Sequence, residues 1–156
     1  MEDILNAAAG SDEQWKYLIF SVNGIEYGIE IGYVTEIIGV QPITQVPRTA
    51  DYIKGIINIR GTIIPVMDMR LRFGYEESEY DEKTCIISVN KDNVNLGLIV
   101  DAVVDVIQLS ADTILTPPAD GGEAKNRFLK AIGKYQDTVK QLVDIDKIYG
   151  IEPAKT

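Results

Sequence analysis

Two carboxylate pairs, Asp101 with Asp105 and Asp144 with Asp146, have spacings at which one group could act as acid and the other as base. Cys85 is the single thiol, and Arg60 is a permanent cation inside the apolar run IKGIINIRGTIIPVMDM. Histidine is absent. That removes the commonest general base, the usual nucleophile–base pairs and most zinc sites. Asp68 and Asp144 each follow a strand-like stretch, where capping of a turn explains a carboxylate better than catalysis. The glycines of GSDEQ, NGIEYG and DGGEAKN lack the Gly-Lys-Ser/Thr ending of a phosphate-binding loop. Cys85, in TCIISV, reads as a buried packing residue. A lone thiol forms no internal disulfide, which fits a reducing cytoplasm. These residues point away from an enzyme and call for no metal or cofactor.

The elements that hold them must come from 156 residues, enough for one domain or two small subdomains sharing a core. The hydrophobic fraction is 46%, well above disordered composition. A net charge of −9 disfavours nucleic acid and anionic membranes, both of which recruit Lys and Arg. An oligonucleotide-binding barrel stacking bases on Tyr17, Tyr27, Tyr33 and Tyr52 is the main rival binding mode, but no basic stripe accompanies those rings. No apolar run approaches the roughly 18 residues of a membrane span. The opening MEDILNAAAGSDEQWK lacks a signal-peptide pattern, so a cytoplasmic protein is expected.

The chain repeats itself. YIKGIINIRGTIIPVMDMRLRFG (52–74) aligns without a gap on FLKAIGKYQDTVKQLVDIDKIYG (128–150), at an offset of 76. Lys54 meets Lys130, Asp68 meets Asp144 and Gly74 meets Gly150. Upstream, LIFSVNG parallels CIISVNK, and ITQVP parallels ILTPP. Two related units are expected, about 16–75 and 83–150, joined by the polar spacer YEESEYDEK. Alternation over Leu18–Val22 and Ile25–Ile31 around Asn23-Gly24 predicts a hairpin, the second strand with one buried face. A helical turn is expected near Gly32–Glu36, then a strand over Ile37–Val40. Gly55–Arg60 and Thr62–Met69 form a second hairpin. Pro47, Pro117 and Pro118 mark loops. A short helix is expected over Met1–Ala9 within a partly helical or flexible 1–15, and a flexible tail over 151–156. About five short strands per unit imply small closed barrels.

In NIRG, Gly61 can take the positive φ of a tight turn, but this leaves Arg60 unexplained. The second unit has Gln136 and Asp137 at those places, so the corner can be made without arginine. Either Arg60 is an idle solvated charge, or its fork orders a carboxylate or contacts a partner. Glu36, which interrupts the apolar YVTEIIGV, is the candidate carboxylate unless it merely faces water. Pro65, replaced by Gln141 in the second unit, is expected on an edge or bulge, where a partner can dock.

The stretch GIINIRGTIIPVMDMR resembles the hallmark of the CheW family of chemotaxis coupling proteins, G-V-I-N-L-R-G-x-x-x-P-V-x-D-L-R, with only aliphatic exchanges. YLIFSVNGIEYGIEI, VTEII, ITQVP, GLIVDAV and LVDIDKIYG follow the family order, so the likeness spans about 16–150. The resemblance implies an all-β fold: two five-stranded Src-homology-3-like barrels on a shared hydrophobic core, with short helices. It implies a stand-alone, non-catalytic adaptor between the cytoplasmic tips of chemoreceptors and the regulatory domain of the histidine kinase CheA. Such an adaptor would be recruited to membrane-associated receptor arrays without inserting into the membrane. By position, Val34, Glu36, Gly55 and Arg60 are implied receptor-binding residues, and Ile43 and Val46 kinase-binding residues.

Overall fold

The computed structural model describes residues 15–115 and 127–150. Its strands run β1 Lys16–Val22, β2 Ile25–Glu30, β3 Val34–Gly39, β4 Ile53–Ile59, β5 Thr62–Asp68, β6 Cys85–Lys91, β7 Val94–Val100, β8 Ala102–Gln108, β9 Ile114–Leu115, β10 Leu129–Tyr135 and β11 Thr138–Val143. Two short helices follow β5 and β11: α1 (Met69–Arg72) and α2 (Ile145–Tyr149). The helix expected over Met1–Ala9, the 151–156 tail and the loops at Pro117 and Pro118 lie outside the described residues.

One sheet has the order β3-β6-β7-β5-β4, the other β8-β1-β2-β11-β10 with the two-residue β9 added at its edge. The sequence repeat is exact at the level of register. Ile53 faces Met67 and Ile59 faces Thr62; 76 residues later Leu129 faces Val143 and Tyr135 faces Thr138, with a bulge at the same place in both. The units are not, however, the sheets. β1–β2 of the first unit pairs with β8 and β11 of the second. β6–β7 of the second pairs with β3 and β5 of the first. The division at 75–83 therefore marks the repeat and not the boundary between barrels: the units exchange their leading hairpins.

That exchange explains the burial. Leu18, Phe20 and Val22 face a core shared by both sheets, with Ile87, Val89, Leu96 and Leu98 of the other hairpin. Tyr17 and Ile19, on the opposite face of β1, enter the interior of one barrel with Ile107, Leu109 and Leu142. Ile57, Ile59, Ile64, Val66, Ile86 and Ile99 fill the other. Strands between a barrel interior and the shared core are buried on both faces. This is why β2 buries Gly28 as well as Tyr27 and Ile29, where alternation had predicted one buried face. Gly28 leaves room for Leu142 and Ile19, which would lie 2.9 and 3.1 Å from a Cβ there.

Two further expectations are adjusted and a third is met. The helical turn is a 3-10 turn at Ile31–Tyr33, and β3 starts at Val34. Pro65 is not on an edge strand, because β5 lies between β7 and β4. It precedes the parallel pairing with β7, which begins at Val66, so the β7 side of β5 is unpaired where the proline sits. The capping expected of Asp68 and Asp144 is present: Asp68 accepts from the Arg70 and Leu71 amides at 2.9 and 3.3 Å, and Asp144 from the Asp146 amide at 3.0 Å.

Candidate functional site

Glu36 and Arg60 meet. Nη2 of Arg60 donates to Oε1 of Glu36 at 2.8 Å. The guanidinium side chain is 76% exposed and the carboxylate side chain 21%. Two local devices bring them together. A bulge between Val34 and Glu36 leaves Thr35 as the extra residue of β3. The Thr35 hydroxyl is anchored there, with the Ser88 carbonyl at 3.1 Å and the Ser88 hydroxyl at 3.0 Å. Bulges re-aim the side chains that follow them. On the other side, the β4–β5 turn has positive φ at both central residues, Arg60 (+49°) and Gly61 (+87°), and Asn58 Oδ1 accepts from the Gly61 amide at 2.8 Å. Gly61 was the expected left-handed residue; Arg60 is one too. Asn, Asp or Gly suits that first position, and arginine gains nothing from it. Its side chain, not its backbone, accounts for its presence.

β3 and β4 are the two ends of their sheet, so the ion pair ties one end of the sheet order to the other at the barrel rim. The other barrel has no such ion pair among the described residues. Asp105 follows the β8 bulge as Glu36 follows the β3 bulge, but Gln136 replaces Arg60 and Asp105 accepts from the Val106 amide. An exposed pair of this kind adds at most about 1 kcal/mol to stability.

The other implied contact residues separate into two groups. Val34 shares β3 with Glu36 but is half-buried and packs against the shared core. Gly55 belongs instead with Ile43. It lies at the β4 bulge with φ +147°, and a Cβ there would sit 2.1 Å from the Thr44 carbonyl oxygen and 2.9 Å from Ile43 Cγ2. The 43–46 strap is held over it by two hydrogen bonds, Thr44 N to Ile56 O (2.9 Å) and Ile56 N to Thr44 O (2.8 Å). Close approach of backbone to backbone is thus a sufficient reason for glycine at 55. Ile43 is half-buried against that barrel's core, and Val46 is exposed at the end of the strap.

The carboxylates considered for acid–base work are otherwise engaged. Asp101 accepts both Nε (2.9 Å) and Nη2 (2.8 Å) of Arg70 and the Asn23 amide (2.8 Å). Asp105 accepts from the Val106 amide, Asp144 caps α2 and Asp146 pairs with Lys91. Burial pushes the Cys85 thiol up, away from reactive thiolate. Of the tyrosines offered for base stacking, Tyr17 and Tyr27 are buried and the Tyr52 ring carries the Arg72 guanidinium at 4.3 Å. The Arg70–Asp101 bridge and the buried Arg72 escaped the sequence reading. The only available sign was two arginines one turn after a capping aspartate.

A model of the CheW-like domain matches residues 16–152. The chain belongs to the CheW family. It is 36% identical over 144 residues to the chemotaxis protein CheW of Klebsiella aerogenes, covering 92% of this chain and 87% of that one. It is 31% identical over 141 residues to CheW of Bacillus subtilis, covering 90% of each. The crystal structure of the scaffolding protein TtCheW from Thermoanaerobacter tengcongensis matches with a TM-score of 0.77 at 36% identity, over 83% of this chain and 88% of that one. The two-barrel, all-β architecture is that of the family. Among the described residues no helix is long and apolar enough to cross a membrane.

Proposed function

We propose that this chain is a non-catalytic chemotaxis adaptor that joins the cytoplasmic tips of chemoreceptors to the regulatory domain of the histidine kinase CheA, in the cytoplasm at membrane-associated receptor arrays. The relatives bearing the CheW name and the TtCheW scaffold support the adaptor role. The observation that carries the site is the Glu36–Arg60 pair. It adds little stability and exists in only one of the two barrels, although both turns hold a left-handed non-glycine residue, Arg60 or Gln136. A feature the fold does not need is best explained by a partner. In this reading Glu36 orders Arg60 at the rim, and Val34 contributes an apolar flank where the receptor docks. Ile43 and Val46, on the strap around the same barrel, meet the kinase domain, and Gly55 acts by letting that strap close.

A scaffold of this type transmits a signal only if its contacts favour one kinase state over another. One contact group lies on the five-stranded sheet and the other on the strap bonded to its β4, so they are held in fixed relation by a packed core. In a mixture of receptor fragments, CheA and this protein, Arg60→Ala should lower receptor-dependent kinase activity by about fivefold or more. Its unfolding free energy should change by less than about 1 kcal/mol. Wild-type activation by a folded Arg60→Ala protein would remove Arg60 from the site.

A further inference from the structure

Arg72 is a charged side chain only 4% exposed, the deepest of the buried cations, with Lys16 and Lys140 at 8% each. Its Nη2 donates to three carbonyls at the C-terminal end of α2: Lys147 (3.0 Å), Ile148 (3.2 Å) and Gly150 (2.7 Å). Of these the Lys147 carbonyl also accepts from the Gly150 amide at 3.3 Å, and all three lie at the negative end of the helix dipole. The guanidinium carbon lies 4.3 Å from the Tyr52 ring centroid and 4.7 Å from that of Phe128.

Tyr52 and Phe128 are the same position of the repeat, 76 residues apart. A group held between two equivalent residues lies where the two units meet. One guanidinium fits there. The residue that the repeat sets opposite Arg72 is Ile148, which is fully buried. The asymmetry has a physical consequence. Two arginines would force like charges into one slot, and two isoleucines would leave the helix carbonyls without this donor. Buried charges are poor devices for net stability, and their best attested use is to specify which of several similar packings forms. Here similar packings are a real hazard, because β4–β5 and β10–β11 have the same register and the units exchange similar hairpins.

We infer that Arg72 is a positioning residue that locks the two units together: a single guanidinium between the two equivalent rings, donated by α1 to cap α2, makes the units complementary instead of interchangeable. The two rings are equivalent positions of the repeat, so the slot should accept the guanidinium from either helix.

The test uses the full chain with Arg72→Met, Ile148→Arg and the exchanged double variant Arg72→Ile/Ile148→Arg, each followed by thermal unfolding and amide hydrogen exchange. Ile148→Arg alone should lower the melting temperature most or prevent folding. The double variant should fold and recover most of that loss, with slow exchange shifting from the Ile148–Gly150 amides to those of Phe73 and Gly74. Arg72→Met should speed exchange at Ile148–Gly150 by about tenfold while the Ile57 and Ile64 amides inside the barrel stay protected. A double variant no more stable than Ile148→Arg would overturn the shared slot. Unchanged exchange at the end of α2 in Arg72→Met would overturn the lock.

Discussion

Gly55→Ala should be the most damaging single methyl addition in the neighbourhood of the site. Gly55 has φ +147°, which a residue with a Cβ rarely adopts; imposing it costs about 1–3 kcal/mol. The new methyl would also lie 2.1 Å from Thr44 O and 2.7 Å from Thr44 C, far inside contact distance, and both neighbours are backbone. The strap must therefore move, losing the paired hydrogen bonds between Thr44 and Ile56 at about 1 kcal/mol each. The sum is about 3–5 kcal/mol, a drop in melting temperature of roughly 10 °C for a chain of this size. Urea unfolding gives the free energy, and hydrogen exchange at the Thr44 and Ile56 amides shows whether the strap has lifted. Kinase binding should weaken as well, because Ile43 and Val46 travel with it. A loss below about 1 kcal/mol with both amides still protected would refute the argument and return Gly55 to the role of a contact residue.

Two further outcomes follow from the caps and the tyrosines. Asp68→Ala should cost about 2–3 kcal/mol by denaturant unfolding, because Asp68 caps α1 and also accepts the Tyr80 hydroxyl at 2.8 Å; Asp144→Ala, which loses one capping bond, should cost about 1 kcal/mol. In alkali, burial pushes Tyr149 up to about 12, and burial also raises Tyr27 and Tyr80. Unfolded tyrosines ionise near 10 while these folded ones stay neutral, so stability should hold below pH 10 and fall as pH rises toward 12. Tyr149→Phe should flatten that fall in a pH series of melting temperatures, and an equally steep fall in the variant would refute the assignment to Tyr149.

The elements were largely legible because their causes are local. Asn23-Gly24 and Arg60-Gly61 mark hairpin turns, alternation marks strands, and Asp68 and Asp144 announce capped turns. The Glu36–Arg60 partnership could be read because each charge interrupts an apolar run and Arg60 has no counterpart in the other unit. Where sequence logic failed, a distant neighbour had overruled a local pattern. Gly28 is buried because a barrel interior lies behind it, Pro65 is tolerated because parallel pairing starts one residue later, and Gly55 is fixed by Thr44 on another segment.

By itself, the amino-acid order determined the family, the strand and turn grammar, the 76-residue repeat and the charged residues at the barrel rim. Only the tertiary structure decided which hairpin joins which sheet. Both units carry nearly the same pattern of inward and outward faces, so either hairpin satisfies local periodicity in either place, and nothing in the pattern ranks the pairings. The choice rests on contacts between residues far apart in the chain, the shared core among them and the guanidinium that α1 extends to α2.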